Sequence, residues 1–161
     1  MDILTIGLGT IGTTYSYLFN KAGHNVEHYI RKSSKKINIT ELNVDMLDGR
    51  NNKKGDHYTD TYKVNTHTKD NYDFIFISMP AGNIESVIET LNSNNIKGTI
   101  ILCCGIWEDK KYLEKIMQGR EYILGYPVAG GNIVDATLTC CVFDHFILEK
   151  KENSKIDNYD N

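Results

Sequence analysis

Three glycines near the start of the chain have the spacing of a phosphate-binding turn. Gly7, Gly9 and Gly12 form the pattern G-x-G-x-x-G, which follows the apolar run at 3–6 and precedes apolar residues with helical spacing. Placed between a strand and a helix, this pattern is typical of the first turn of a dinucleotide-binding fold. The alternative is a glycine-rich turn that binds nothing. The predicted contacts with a dinucleotide are Gly7, Leu8, Gly9, Thr10, Ile11 and Gly12.

Each glycine has a separate role in a turn of this kind. Gly7 permits the tight exit from the strand, Gly9 lets the backbone come close to a pyrophosphate, and Gly12 lets the helix pack closely on the sheet. The N–H groups at the start of the helix and the positive end of its dipole would then face the phosphate charge.

The residues after the second predicted strand favour NADP over NAD. An NAD site usually carries an acid about 20 residues after the glycine turn, where it bonds the ribose 2′-hydroxyl, whereas an NADP site has a basic residue for the 2′-phosphate. Here the chain reads Arg31-Lys32-Ser33-Ser34, without an acid. Arg31 can offer a bidentate fork to a phosphate, with Lys32 and the serines as further donors. We therefore predict NADP (NADPH) as the cofactor; the alternative is a solvated basic loop.

The length of the chain fits a single domain, and its charge gives no sign of a nucleic-acid partner. The 161 residues carry a formal net charge of -3 and a pI near 5.9, so the chain has no general attraction for nucleic acid. No apolar run approaches the roughly 20 residues that span a bilayer. Met1-Asp2 leads straight into a predicted strand, which is unlike a secretion signal. We expect no nucleic-acid or membrane partner and a cytoplasmic location.

The four cysteines form two neighbouring pairs, Cys103-Cys104 and Cys140-Cys141, each in an apolar stretch with strand character. Successive side chains of a strand point to opposite faces, so neither pair can readily close a metal chelate. We expect no metal site and interpret the cysteines as small buried hydrophobic residues; zinc or disulfide roles are the alternative.

Alternating strand and helix patterns predict an α/β fold of the Rossmann type, with a doubly wound, mainly parallel sheet and a β-hairpin insert. The hairpin is predicted at 43–47 and 58–64. A flexible loop is expected at 127–132, and one final edge strand at 137–148. The other predicted strands lie at 3–6, 26–30, 72–78, 99–105 and 122–126.

The first predicted helix, 10–22, has one apolar stripe of Ile11, Tyr15, Leu18, Phe19 and Ala22. A second predicted helix is capped by Asn83, and a third contains 112–117. Two buried strands end near Met79, Pro80, Cys104 and Gly105, at the carboxyl edge where this architecture binds ligands, so these four are also predicted cofactor contacts. The domain is predicted at 1–148, and 149–161 is interpreted as a polar tail or an interrupted linker.

Over about residues 1–148 the chain resembles the N-terminal domain of the ketopantoate reductase (2-dehydropantoate 2-reductase) family. The resemblance implies NADPH binding with Arg31 on the 2′-phosphate, and hydride transfer to a 2-keto acid in the full-length family. It rests on residues 3–12, Lys21-Ala22-Gly23-His24-Asn25-Val26, Arg31, Asp73, Cys104-Gly105 and Gly130-Gly131.

Two positions depart from the family's pattern. Pro80 stands where the family usually has a lysine, and Cys104 where it has an asparagine near nicotinamide and substrate. Proline has no donor at all. The family's C-terminal helical domain supplies the proton-donating lysine and a substrate-binding acid, and we expect this chain to lack that domain. Tyr126 is a weak candidate for a proton donor, so the catalytic residues stay unknown.

The resulting prediction is the NADP(H)-binding domain of a ketopantoate-reductase-like oxidoreductase, inactive alone, with a small 2-keto acid as the substrate of the family. The alternative is a non-catalytic dinucleotide-binding module or a redox sensor. An exposed final strand without a covering domain would leave an edge for a homodimer or a completing partner chain.

Overall fold

The computed structural model describes residues 1–105 and 109–150. The helices in these ranges are α1 (Thr10–Lys21), α2 (Ile84–Ser93) and α3 (Lys110–Met117), and a 3-10 turn at Ala81–Asn83 leads into α2. The strands are β1 (Asp2–Ile6), β2 (Asn25–Tyr29), β3 (Glu41–Asp48), β4 (Asp56–Lys63), β5 (Asn71–Ile77), β6 (Lys97–Leu102), β7 (Tyr122–Tyr126), β8 (Ala129–Val134), β9 (Thr137–Val142) and β10 (Ile147–Leu148).

The first sheet has the order β10-β7-β6-β5-β1-β2 and is parallel except for the pairing of β10 with β7. The first strand pairs with β2 on one side and β5 on the other, as Ile3 lies opposite both Val26 and Phe74. Successive strands therefore run outward in opposite directions from the junction of β1 and β5. This confirms the doubly wound α/β prediction and places its topological switch point between those two strands.

Helices cover both faces of this sheet. On one face α2 and α3 pack with the strands around a core that includes Ile75, Ile88 and Ile116. On the other face α1 packs through Tyr15 against Phe76. Burial on both faces accounts for the nearly continuous apolar runs from which the strands were predicted. None of the helices in the described ranges has the length and apolar character needed to cross a bilayer.

The predicted hairpin of β3 and β4 is confirmed, and it belongs to a second sheet of order β4-β3-β9-β8. Two predictions nearby were wrong. The expected loop at 127–132 contains most of β8, and the expected single edge strand at 137–148 is two strands: β9 lies inside the second sheet and β10 at the edge of the first. The turn between β8 and β9 places Asp135 and Ala136 at φ 46° and 57°, the conformation of a tight hairpin turn, without the glycine that usually marks it.

Helix α1 lies between the two sheets and is buried on more than the predicted stripe. Tyr17 is 5 % exposed and packs with Tyr62 of β4, while Tyr15 faces the first sheet. Ala22, assigned to the apolar stripe, is instead exposed at the C-terminal cap of the helix. Asn83 precedes α2 as predicted but makes no capping hydrogen bond through its side chain, because the 3-10 turn already occupies that position.

Candidate functional site

A cleft of about 460 Å³ lies at the carboxyl edge of the first sheet, beside the junction of β1 and β5. The glycine turn forms one wall and α2 the opposite wall, while the segment after β2 and Met79 complete it. The structure thus brings the predicted glycine turn, Arg31 and Met79 to one cavity. Apolar side chains also line it, among them Ile6 of β1 and Leu91 of α2.

The three glycines of the turn have different local environments. Gly7 has φ +81°, a left-handed conformation that only glycine adopts without strain, and its N–H donates to the Tyr29 carbonyl at 2.8 Å. A Cβ on Gly9 would have the Ser78 carbonyl oxygen at 4.0 Å as its contact, so the backbone there is open on the cleft side. A Cβ on Gly12 would lie 3.1 Å from the Thr5 Cγ2, which is tight for helix against sheet.

Helix α1 begins at the cleft. Gly9 is its N-cap, and the Thr13 N–H donates to the Gly9 carbonyl at 2.9 Å. The amides of Thr10, Ile11 and Gly12 precede that bond and are the ones a helix leaves without an internal acceptor. No acidic residue occupies the first turn of this helix. The positive end of the dipole is therefore available to an anion.

The segment after β2 folds back toward the glycine turn. The Ser34 N–H donates to the Arg31 carbonyl at 2.9 Å, and the Lys36 ammonium donates to the Leu8 carbonyl at 2.8 Å. Arg31, Lys35 and Lys36 all line the cleft, and no carboxylate is among the described residues that line it. The cleft is therefore an electropositive site with a concentration of cations near the glycine turn.

Sequence reasoning missed several residues of this cleft. Lys35 and Lys36 belong to a segment from which no chemistry was inferred, although two adjacent lysines close to Arg31 were a readable signal. Ser86 and Thr90 face the cleft from α2, and helical spacing from Asn83 would have found them. By contrast, Lys32, which is exposed like Arg31 and Lys35, does not line the cleft.

The remaining predicted contacts lie beside the cleft and do not line it. Thr10, Ile11 and Gly12 are in the first turn of α1, behind the glycine loop. Pro80 is exposed just after β5, and Cys104 and Gly105 follow β6 at the same edge of the sheet.

Among the described residues that line the cleft, the titratable side chains are Tyr29, Arg31, Lys35 and Lys36. Tyr126, the weak candidate for a proton donor, is 53 % exposed at the end of β7 and lies opposite Ile147 of β10. Hydride transfer to a carbonyl also needs a proton donor within hydrogen-bond reach of the developing alkoxide. Arg31, Lys35 and Lys36 give the described cleft the charge to hold a phosphorylated ligand.

The cysteines are only partly as predicted. Cys103 and Cys140 are buried, whereas Cys104 and Cys141 are half-buried. Cys103 and Cys104 also follow β6 and do not lie within it, so the strand-alternation argument does not apply to them. Burial raises the pKa of the Cys103 thiol to about 12, which keeps that sulfur protonated at neutral pH. No group of three or more His, Cys, Asp or Glu side chains in the described ranges is arranged to hold a metal ion.

The sequence matches a family of known proteins. A family model described as ketopantoate reductase PanE/ApbA matches residues 3–132. No curated protein sequence matches the chain.

Solved structures share the fold. The 2-dehydropantoate 2-reductase from Geobacter metallireducens GS-15 has a TM-score of 0.69 and 15% identity, over 99% of this chain and 53% of its own. The ketopantoate reductase of Ralstonia eutropha JMP134 has a TM-score of 0.70 and 14% identity, over 96% and 51%. A D-mandelate dehydrogenase solved with NADH and anilino(oxo)acetate has a TM-score of 0.63 and 15% identity, over 98% and 51%. The chain spans about half the length of these proteins, and at these identities the likeness shows the fold.

Proposed function

The chain belongs to the ketopantoate reductase PanE/ApbA family, and on that premise we propose that it is the NADP(H)-binding domain of a ketopantoate-reductase-like oxidoreductase. The observation that carries the proposal is the single cleft shared by the glycine turn and Arg31. We place the domain at 1–148 and the protein in the cytoplasm. In the whole protein the substrate is a small 2-keto acid.

The residues of the cleft fit the pyrophosphate and the 2′-phosphate of NADP(H) separately. The open backbone at Gly9 and the start of α1 suit the pyrophosphate, because a Cβ there would separate the backbone from the ligand. Arg31 suits the 2′-phosphate, since its planar fork can make two charge-assisted hydrogen bonds to one phosphate. Lys35 and Lys36 add positive charge beside it.

The family likeness alone does not choose between the two dinucleotides, because the D-mandelate dehydrogenase of the same fold was solved with NADH. The choice of NADP rests on charge. The cleft has three cationic side chains, Arg31, Lys35 and Lys36. Its described lining includes no acid that would bond a ribose 2′-hydroxyl or repel a 2′-phosphate.

NADPH would supply a hydride when bound, and the residues of this chain would hold and orient the dinucleotide. The reaction also requires a proton donor near the substrate carbonyl. Pro80 offers no donor, and Cys104 stands where the family has an asparagine, so we propose that this chain binds the cofactor and that another domain, or a second chain, completes the site. A homodimer is one such arrangement.

Two matched variants test the assignment of Arg31. Arg31→Ala removes a cation from the cleft, whereas Lys32→Ala removes its exposed neighbour, which lies outside the lining. A hydrogen bond to a charged group contributes about 1.5–3 kcal/mol, so Arg31→Ala should weaken NADPH binding by roughly 10- to 100-fold. NADH binding should change by less than about twofold, since NADH lacks the 2′-phosphate. Equal effects of the two variants on NADPH in isothermal titration calorimetry would contradict the assignment.

The second candidate is a dinucleotide-binding module without catalysis, such as a redox sensor, and Pro80 and Cys104 are the observations that favour it. NADPH oxidation, followed by absorbance at 340 nm, distinguishes such a module from a complete enzyme. We expect no NADPH oxidation above background when this chain alone is mixed with ketopantoate. Steady oxidation would show that the chain contains its own proton donor.

A further inference from the structure

His28 of β2 is completely buried directly behind the glycine turn, with 0 % of its surface exposed. Both ring nitrogens have a partner. Nδ1 lies 2.9 Å from the Gly7 carbonyl oxygen, and Nε2 lies 2.8 Å from the Tyr62 hydroxyl. Tyr62 belongs to β4 of the second sheet and is 2 % exposed. The ring therefore connects the phosphate-binding turn to the second sheet.

The partners determine where the proton of the ring is. A carbonyl oxygen can only accept, so the hydrogen must be on Nδ1. Nε2 is then the acceptor, and the Tyr62 hydroxyl donates to it. Burial also lowers the pKa of His28, which favours the neutral ring that this arrangement requires.

The bond to Gly7 orients the peptide unit that begins the turn. The Gly7 N–H is held by the Tyr29 carbonyl at 2.8 Å, and the Gly7 carbonyl by His28, so β2 holds both polar groups of this residue at its positive φ. In a trans peptide the C=O and the following N–H point in opposite directions. Since the Gly7 carbonyl faces His28, the Leu8 N–H points away from the buried ring.

We propose that His28, held in the Nδ1–H form by the Gly7 carbonyl and fixed at Nε2 by the Tyr62 hydroxyl, is a positioning residue that sets the Gly7–Leu8 peptide for a dinucleotide pyrophosphate. This inference rests on the proposed function of the cleft. It also gives the second sheet a role at the site, because that sheet provides the hydroxyl that donates to Nε2 and fixes the orientation of the ring.

Two measurements test the inference, and the first needs no ligand. In the ¹⁵N-histidine NMR spectrum of the wild-type chain, His28 should show a protonated Nδ1 and an unprotonated Nε2 at pH 7. Tyr62→Phe keeps the aromatic ring and removes the hydroxyl, so the Nε2 signal should shift as that nitrogen loses its hydrogen-bond donor, while Nδ1 stays protonated through its bond to Gly7. An Nε2–H ring in the wild type, or an unchanged spectrum in Tyr62→Phe, would overturn the positioning role.

The second measurement uses a matched pair of side chains. His28→Asn can place an N–H at the position of Nδ1, whereas His28→Gln places its amide nearer the position of Nε2. We expect Asn to bind NADPH within about twofold of the wild type and Gln to bind about tenfold more weakly, the effect of losing about one hydrogen bond at the turn. NADH should follow the same order, because the pyrophosphate is common to both dinucleotides.

The outcomes separate this inference from the proposed function. If the wild type binds neither dinucleotide, the proposed function fails, and the pyrophosphate role of His28 fails with it. If the wild type binds but Asn and Gln are equal, or Gln binds more tightly, this inference alone is overturned. Thermal unfolding of each variant checks that it is folded, and the Tyr62→Phe spectrum decides the matter should the His28 variants not fold.

Discussion

Gly9→Ala is expected to weaken dinucleotide binding while leaving the stability of the fold almost unchanged. Gly9 has φ -83° and ψ 158°, a conformation that alanine adopts without strain. The added Cβ would have the Ser78 carbonyl oxygen at 4.0 Å as its contact within the protein. The methyl group therefore occupies the space that the proposed pyrophosphate needs and little else.

The stability terms nearly cancel at this position. Alanine is a poorer N-cap than glycine, by several tenths of a kcal/mol to about 1 kcal/mol. Alanine also restricts the unfolded chain, which stabilises the fold by about 0.4–1 kcal/mol. The unfolding free energy should thus change by less than about 0.5 kcal/mol. Binding should fall at least about tenfold, or about 1.4 kcal/mol, because backbone and phosphate can no longer approach closely.

Gly82→Ala is the matched control, since a Cβ there would meet nothing within 4 Å and Gly82 does not line the cleft. Urea denaturation gives the unfolding free energies, and calorimetric titration with NADPH gives the affinities. Unchanged NADPH affinity in Gly9→Ala would refute the placement of the pyrophosphate. A loss of more than about 2 kcal/mol of stability would show that Gly9 is required by the fold instead.

Gly131→Ala should lower the unfolding free energy by at least about 2 kcal/mol in urea denaturation. The residue has φ +153°, and the new Cβ would lie 2.8 Å from the Cys140 Cα, a backbone atom that cannot move aside. An unchanged denaturation midpoint would contradict the close pairing of β8 and β9. The wild type should lose stability as the pH falls below 6.5, the ordinary pKa of histidine, because the folded pKa of His28 is lowered and only the unfolded chain takes up the proton. His28 alone can lower the unfolding free energy by at most about 1.4 kcal/mol for each pH unit below 6.5. Above pH 6.5 its contribution to the unfolding free energy no longer changes with pH. Burial also lowers the pKa of His24, so the contribution of His28 is obtained by comparing the urea denaturation of the wild type and His28→Asn between pH 5 and 7.5. If the unfolding free energies of the two proteins run parallel over this range, the burial of a neutral His28 ring is refuted.

Local patterns allowed prediction of most of the first sheet. The run at 3–6, the glycines and the helix that follows are contiguous, so β1, α1 and β2 needed no knowledge of distant residues. The second sheet depended on contacts remote in sequence. Its central pairing joins Val44 to Leu138, and no local pattern carries that information.

Individual side chains were harder to predict for the same reason. A polar residue such as His28 in a strand is ordinarily assigned to an exposed face, and only Tyr62 from β4 and the Gly7 carbonyl make its burial favourable. The adjacent lysines could have been read from the sequence, but the contact that holds Lys36 at the glycine turn could not, because the Leu8 carbonyl lies 28 residues away. Arg31, in contrast, follows β2 directly, and its place in the cleft follows from the strand's position next to β1.

Calorimetric titration of the wild-type chain with NADPH and with NADH shows whether the cleft holds a dinucleotide and whether it recognises the 2′-phosphate. We expect one site per chain with NADPH bound at least about tenfold more tightly than NADH. Equal affinities, or no binding of either dinucleotide, would contradict the account.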